Sequence, residues 1–319
     1  MSRLGTRLRL LRVWTSIALG RSYRHRNQGI GHSFVPGHLE GYFIDLTAKT
    51  SYDGSTDSHG LPLTPAGGQL VHHPTVVLQF GLGHWDRWIR SGRRSDEHRE
   101  RFLSAARWAA TAIDHRGGLS IWPELGFQMA SPYSAMTQGL AASVLARGWL
   151  LKSDDAWLEH ARRAVQIMLL PVESGGTSRR TGSGIVLEEG PLVPPNTVLN
   201  GWVFGLFGLY DLTLVDGAHG SNIKTALNDT LEALVETLAE FDTGWWSQYD
   251  TEGHLASPFY HRLHVAQLGA LERTFPAHSA QIANTRLRWE RALASRLHVA
   301  RAILLKARQQ MTDPPQGIW

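Results

Sequence analysis

The chain has 319 residues, 42% hydrophobic and 19% charged, a balance that excludes a disordered, collagen-like or purely fibrous protein. It contains no cysteine, which removes disulfides, thiolate metal centres and cysteine nucleophiles. Net charge is +4, but residues 1–26 hold seven arginines and no Asp or Glu, so the rest of the chain carries −3. A nucleic-acid binder spreads its positive footprint over a folded face, so nucleic acid is not an expected partner.

Residues 1–26 read as a basic N-terminal helix or tail. Its apolar stretch, residues 13–20, is too short and polar to span a bilayer, and it lacks the cleavage pattern of a secretory signal. Three readings stay open for it: a helix docked on the body, a membrane-surface helix through residues 1–20, or a transit-like segment. A cytoplasmic or peripherally attached protein is expected.

Residues 27–73 form a loop-rich segment with Gly, Pro, His and Ser, and the run 41–46 suggests a strand. From Pro74 the pattern turns helical. Pro74 suits a first helical position, opening a helix to 89. Ser95 is a good N-cap, with Asp96 and Glu97 at the positive helix end, for a helix to about 115. Further helices are expected at 134–152, 154–170, 197–214, 222–240, 261–274 and 279–309, with a hairpin insertion near 173–190. The 154–170 helix is amphipathic, with Trp157, Leu158, Ala161, Ala164, Val165, Met168 and Leu169 on one stripe.

Helices at 74–89, 134–152, 197–214 and 261–274 are apolar or small on most faces, and each is followed by one with a polar face. A helix that is apolar all round must be buried, and an amphipathic one covers it. The fold class read from this alternation is all-α: an incomplete (α/α) toroid of about four helix pairs, with a short β-containing N-terminal segment. The toroid would occupy 74–319. Links 117–132, 173–195 and 242–259 each join an outer helix to the next inner one. They should emerge at the same end, where a cleft would form.

No Walker loop, dinucleotide fingerprint or His-Glu-x-x-His occurs. Among sixteen histidines, His72-His73 and the pair His261/His264 are the closest approach to a metal motif, without an evident third ligand. No metal and no nucleotide cofactor is expected, and His261 and His264 read better as hydrogen-bonding groups at the rim of a cleft. The twelve tryptophans read first as core.

Several segments then form an ordered set: Pro74-Thr-Val-Val-Leu-Gln-Phe-Gly-Leu-Gly83, Pro132-Tyr-Ser-Ala-Met-Thr-Gln-Gly139, Glu188-Glu-Gly-Pro, Val198-Leu-Asn-Gly201, Gly208-Leu-Tyr-Asp-Leu212, Gln248-Tyr-Asp250 and Tyr260-His-Arg-Leu-His264. In order and spacing this set resembles the C-terminal catalytic domain of the D-glucuronyl 5-epimerases, which act on heparan-type chains, over roughly residues 70–275. The resemblance implies an epimerase inverting carbon 5 of D-glucuronate residues to L-iduronate in a polysaccharide. It maps the family's acid/base glutamate onto Glu189 and its active-site tyrosines onto Tyr249 and Tyr260. Removing a proton beside a carboxylate and returning it on the other face needs two acid/base groups and a stabiliser of enolate-like charge.

Tyr133, Gln138, Asn196 and Asn200 sit where inner helices begin and are candidates for substrate contact or for capping. Two positions depart from the family. Gly190 replaces the tyrosine that follows the glutamate. The arginine expected after the Tyr-Asp pair is absent, and Arg179, Arg180, Arg262 or His254 are the candidate substitutes for gripping the uronate carboxylate. A uronate lyase begins with the same proton abstraction, and a sugar-binding relative without catalysis is the reading from a different class. A homodimer is left open.

Overall fold

In the computed structural model, which describes residues 22–216 and 220–312, nine α-helices and two small antiparallel hairpins are arranged around one inner row of helices. The inner row is α1 (Pro74–Arg90), α3 (Ala135–Lys152), α5 (Leu199–Thr213) and α7 (Pro258–Thr274), packed in that order. Each is backed by the helix that follows it: α2 (Asp96–Ala112), α4 (Asp155–Leu169), α6 (Gly220–Thr237) and α8 (Ser279–Ala294). The apolar-then-amphipathic alternation therefore translates into inner and outer layers. Local chemistry fixes several starts: Ser95, Asp154 and Ser257 each accept a backbone N–H from the first turn of α2, α4 and α7.

The inner row packs closely because small residues meet at the α3–α5 crossing. A Cβ on Gly139 would collide with the Phe204 carbonyl, and one on Gly208 with the Gly139 backbone. Around this crossing Leu140, Val144, Trp202, Phe204 and Phe207 are fully buried, as are Trp85, Trp246 and Trp289, so four of the ten described tryptophans lie fully within the core.

Two elements differ from expectation. The run 41–46 is not a strand; its only ladder contact among the described residues is an isolated Ile30–Ile44 bridge. Tyr42, Phe43, Ile44 and Leu46 are at most 1% exposed, and helices rather than neighbouring strands cover them. The short β element of the N-terminal segment is instead the hairpin β1 (Thr64–Ala66) and β2 (Gln69–Val71), turned by Gly67-Gly68, both at positive φ. The expected 279–309 helix is two, breaking at Ser295 between α8 and α9 (Arg296–Thr312). The hairpin foreseen near 173–190 is β3 (Ser178–Thr181) with β4 (Gly184–Leu187). No helix among the described residues is long and apolar enough to cross a membrane, and the proposed surface contact through 1–20 lies outside them.

Residues 27–50 form a strap along the inner row: Gln28 and Lys49 reach the end where the helices start, and residues 40–43 cross the later turns of α1, α3 and α5. Asn27 accepts a hydrogen bond from Arg262 of α7, Phe43 stacks on Phe207 of α5 at 4.1 Å, and Arg147 of α3 donates to the carbonyls of Glu40 and Gly41. The Tyr42 N–H donates to Asp86 of α1. Arg147 is also paired with Asp211 at 2.5 Å, both side chains 1% exposed.

Asp86 has one carboxylate oxygen on Tyr42 and the other without a partner among the described residues. Burial pushes its carboxyl up to about 7. The fold then holds a proton that the unfolded chain releases near pH 4, so this group's contribution falls as pH rises from about 4 to about 7. Asp86→Asn keeps an oxygen acceptor for Tyr42 and removes the titration. The melting temperature of the variant minus that of the wild type should grow across that window and level off above it; a difference independent of pH would contradict the assignment.

Candidate active site

The N-terminal ends of α1, α3, α5 and α7 and the three long links surround one cavity of about 480 Å³, within the range of small-ligand sites. Trp122 and Met129 come from the first link, Glu189 and Gly190 from the second, Tyr249 and Asp250 from the third. The cleft thus lies at the end of the fold where the links were expected to emerge. Four helix N-termini share it, giving partial positive charge on that side.

Glu188 and Glu189 follow β4 where the chain bends, and their side chains part. Glu188 turns inward: it is fully buried, lies 3.3 Å from Arg179 and accepts from Thr197, while its carbonyl accepts the Ala135 N–H at the start of α3. Glu189 is thereby aimed into the cavity, where its only side-chain hydrogen bond among the described residues is from Asn200 at 3.3 Å. It lies against Gly201, where a Cβ would collide with its carboxylate. Burial, only partly offset by Asn200, holds its carboxyl up at about 7.

Tyr249 is carried by the third link, which is stitched to the start of α5. Leu199 N–H donates to the Tyr249 carbonyl and Thr251 N–H to the Thr197 carbonyl. Its ring meets that of Tyr260 edge-on at 4.7 Å, and the two phenols are hydrogen-bonded. Burial, then the charges of Glu189, Tyr260 and Asp250, push the Tyr249 phenol well above its ordinary range, so it is neutral near pH 7. Asp250 is occupied by Asn196 and His254.

Of the residues singled out in the sequence, the cavity gathers Glu189, Tyr249, Tyr260, Asn196, Asn200, His254 and Gly190. Others lie elsewhere. Tyr133 is buried and donates to Asp114, and Gln138 holds the backbone of Leu119 from α3. His261 and His264 are not at a rim: both are fully buried, share Ser247, and His261 stacks on Trp246 at 3.7 Å. Arg179 is engaged by Glu188, Glu173 and the Leu192 carbonyl. Arg180 is exposed near Asp229, and Arg262 tethers the strap. None of these three arginines lines the cavity.

The cavity also contains side chains that motif reading gave no role there. Gln28, Lys49 and Tyr23 enter from the N-terminal segment, His73 from the N-cap of α1, Gln79 from α1 within the first motif, and Lys306 from α9. Lys49 donates to the Tyr23 carbonyl at 3.0 Å. A Cβ on Gly190 would meet nothing nearer than Trp122 at 3.9 Å, so the cavity is open where the family's tyrosine stands.

Residues 124–291, just over half of the sequence, match the family described as D-glucuronyl C5-epimerase C-terminus. The chain belongs to the D-glucuronyl C5-epimerase family. It is 31% identical over 196 residues to the D-glucuronyl C5-epimerase of Caenorhabditis elegans, an alignment covering 54% of this chain and 32% of that protein. It is 25% identical over 138 residues to an uncharacterized protein of Methanocaldococcus jannaschii, covering 42% of this chain and 44% of that one. The chain therefore spans a third to under a half of the length of these two relatives. The family match supplies Glu189, Tyr249 and Tyr260, whereas Tyr23, Lys49, His73 and Lys306 reach the cavity from outside it.

Proposed function

We propose that this protein epimerises carbon 5 of D-glucuronate residues in a polysaccharide, using Glu189 and Tyr249 on opposite faces of the sugar. The observation that carries the reading is one cavity holding a carboxyl with a pKa raised to about 7 beside a phenol kept neutral. A base poised near working pH abstracts the carbon 5 proton with little thermodynamic penalty. A neutral phenol returns a proton from the other side and recovers its own from solvent or through Tyr260. Asn196, Asn200 and the converging helix N-termini are suited to stabilising enolate-like charge on the substrate carboxylate. The reaction is redox-neutral, and these side chains supply both proton transfers.

The test is incubation with an unsulfated glucuronate–glucosamine polymer, followed by proton NMR and ultraviolet absorbance. Epimerisation gives iduronate signals at constant absorbance. Rising absorbance from an unsaturated uronate would identify a lyase instead, and binding without either change would identify a sugar-binding relative.

A further inference from the structure

Lys306 stands out among the cavity residues. It is 4% exposed, on α9, beyond the family match, and no carboxylate among the described residues lies within ion-pair distance of its ammonium. Asp250, the acid whose charge it feels, is already engaged by Asn196 and His254. Its Nζ sits 5.9 Å from the Tyr249 ring centre, placing the charge beside the proposed second-face acid. A buried ammonium without a close counter-ion is costly, and folds retain such groups where a ligand completes them.

We propose that Lys306 is the anion anchor of this site, binding the substrate's carboxylate beside Tyr249. This rests on the uronate reading of the cavity. It assigns to a helix at the C-terminal end of the fold the grip for which Arg179, Arg180 and Arg262 are wrongly placed. Such an ammonium fixes the ring with carbon 5 between Glu189 and Tyr249, and it offsets the charge that grows on the carboxylate when the proton leaves. Burial brings the Lys306 ammonium down to about 8, Asp250 partly opposing this, so it is still mostly charged at pH 7 and a bound carboxylate would raise it again.

The test compares binding of methyl β-D-glucuronide with that of methyl β-D-glucoside, the same ring without the carboxylate, by ligand-observed NMR titration at pH 7. Wild-type protein should prefer the glucuronide roughly tenfold or more, as a charge-assisted bond in a dry site requires. Lys306→Met should bring the ratio to about one while leaving glucoside affinity unchanged. It should also hold or raise the melting temperature, because it replaces an uncompensated buried charge with an apolar chain of similar length. A lysine serving only the fold would lower the melting temperature and leave the preference intact. Retention of the preference in Lys306→Met overturns the anchor alone. Wild-type protein with no preference for the glucuronide overturns the uronate reading of the cavity and the anchor with it.

Discussion

Glu189→Gln should lower epimerisation by roughly 10²–10⁴-fold, the contribution typical of a positioned acid/base group. Glutamine keeps the side chain's length and its hydrogen bond to Asn200 but cannot accept the carbon 5 proton. The wild-type pH profile carries the same signature. With Glu189 held at about 7 by burial, kcat/KM should fall as pH drops below that value, because the base must be ionised in the free enzyme. The same raised value means that ionised Glu189 weakens the fold as pH rises through 4 to 7. Glu189→Gln should therefore melt higher than the wild type above pH 7 while being nearly inactive. A variant that is inactive and also less stable would instead mark Glu189 as structural.

Arg147→Met should destabilise the fold by about 3–5 kcal/mol, as expected when one partner of a buried ion pair is removed. Asp211 would be left as an uncompensated charge, already pushed upward by burial in the intact pair. The carbonyls of Glu40 and Gly41 would lose their donor, and Tyr42 the guanidinium 5.4 Å above its ring. The strap should loosen together with α3 and α5, visible as a lower urea midpoint. Adding Asp211→Leu should recover most of the loss, since paired apolar replacement of a buried ion pair is often neutral. A single-variant cost under about 1 kcal/mol would show that the pair is not what ties strap to helices.

The helix pairs were legible because burial leaves a residue-level record: α3 and α5 are small or apolar on nearly every face, whereas α4 carries a stripe. The strap was not legible. Tyr42, Phe43, Ile44 and Leu46 look like a strand core, yet three separate helices, α1, α3 and α5, pack against this run, and nothing in a local window encodes that. Ser295 did carry a signal for the α8–α9 break, since its hydroxyl accepts the His298 N–H, but without Gly or Pro it did not stand out. At the site, chain position located the inner-helix starts but not their azimuth, so Asn196 and Asn200 face the cavity while Tyr133 and Gln138 face Asp114 and Leu119. The same limit hid His261 and His264 in the core. Lys306 lies far along the chain from every motif, on a helix whose polar pattern reads as surface, and only the return of α9 against α7 and α8 brings it to the cavity.

The two-face proton transfer is tested most directly by deuterium incorporation at carbon 5 in heavy water, comparing wild-type protein with Tyr249→Phe. Wild-type protein should place deuterium at carbon 5 of both glucuronate and iduronate. In Tyr249→Phe, Glu189 should still remove and return the proton on its own face, so deuterium should enter glucuronate while iduronate formation stops. Loss of exchange and inversion together, or unchanged inversion in the variant, would contradict the assignment of opposite faces to Glu189 and Tyr249.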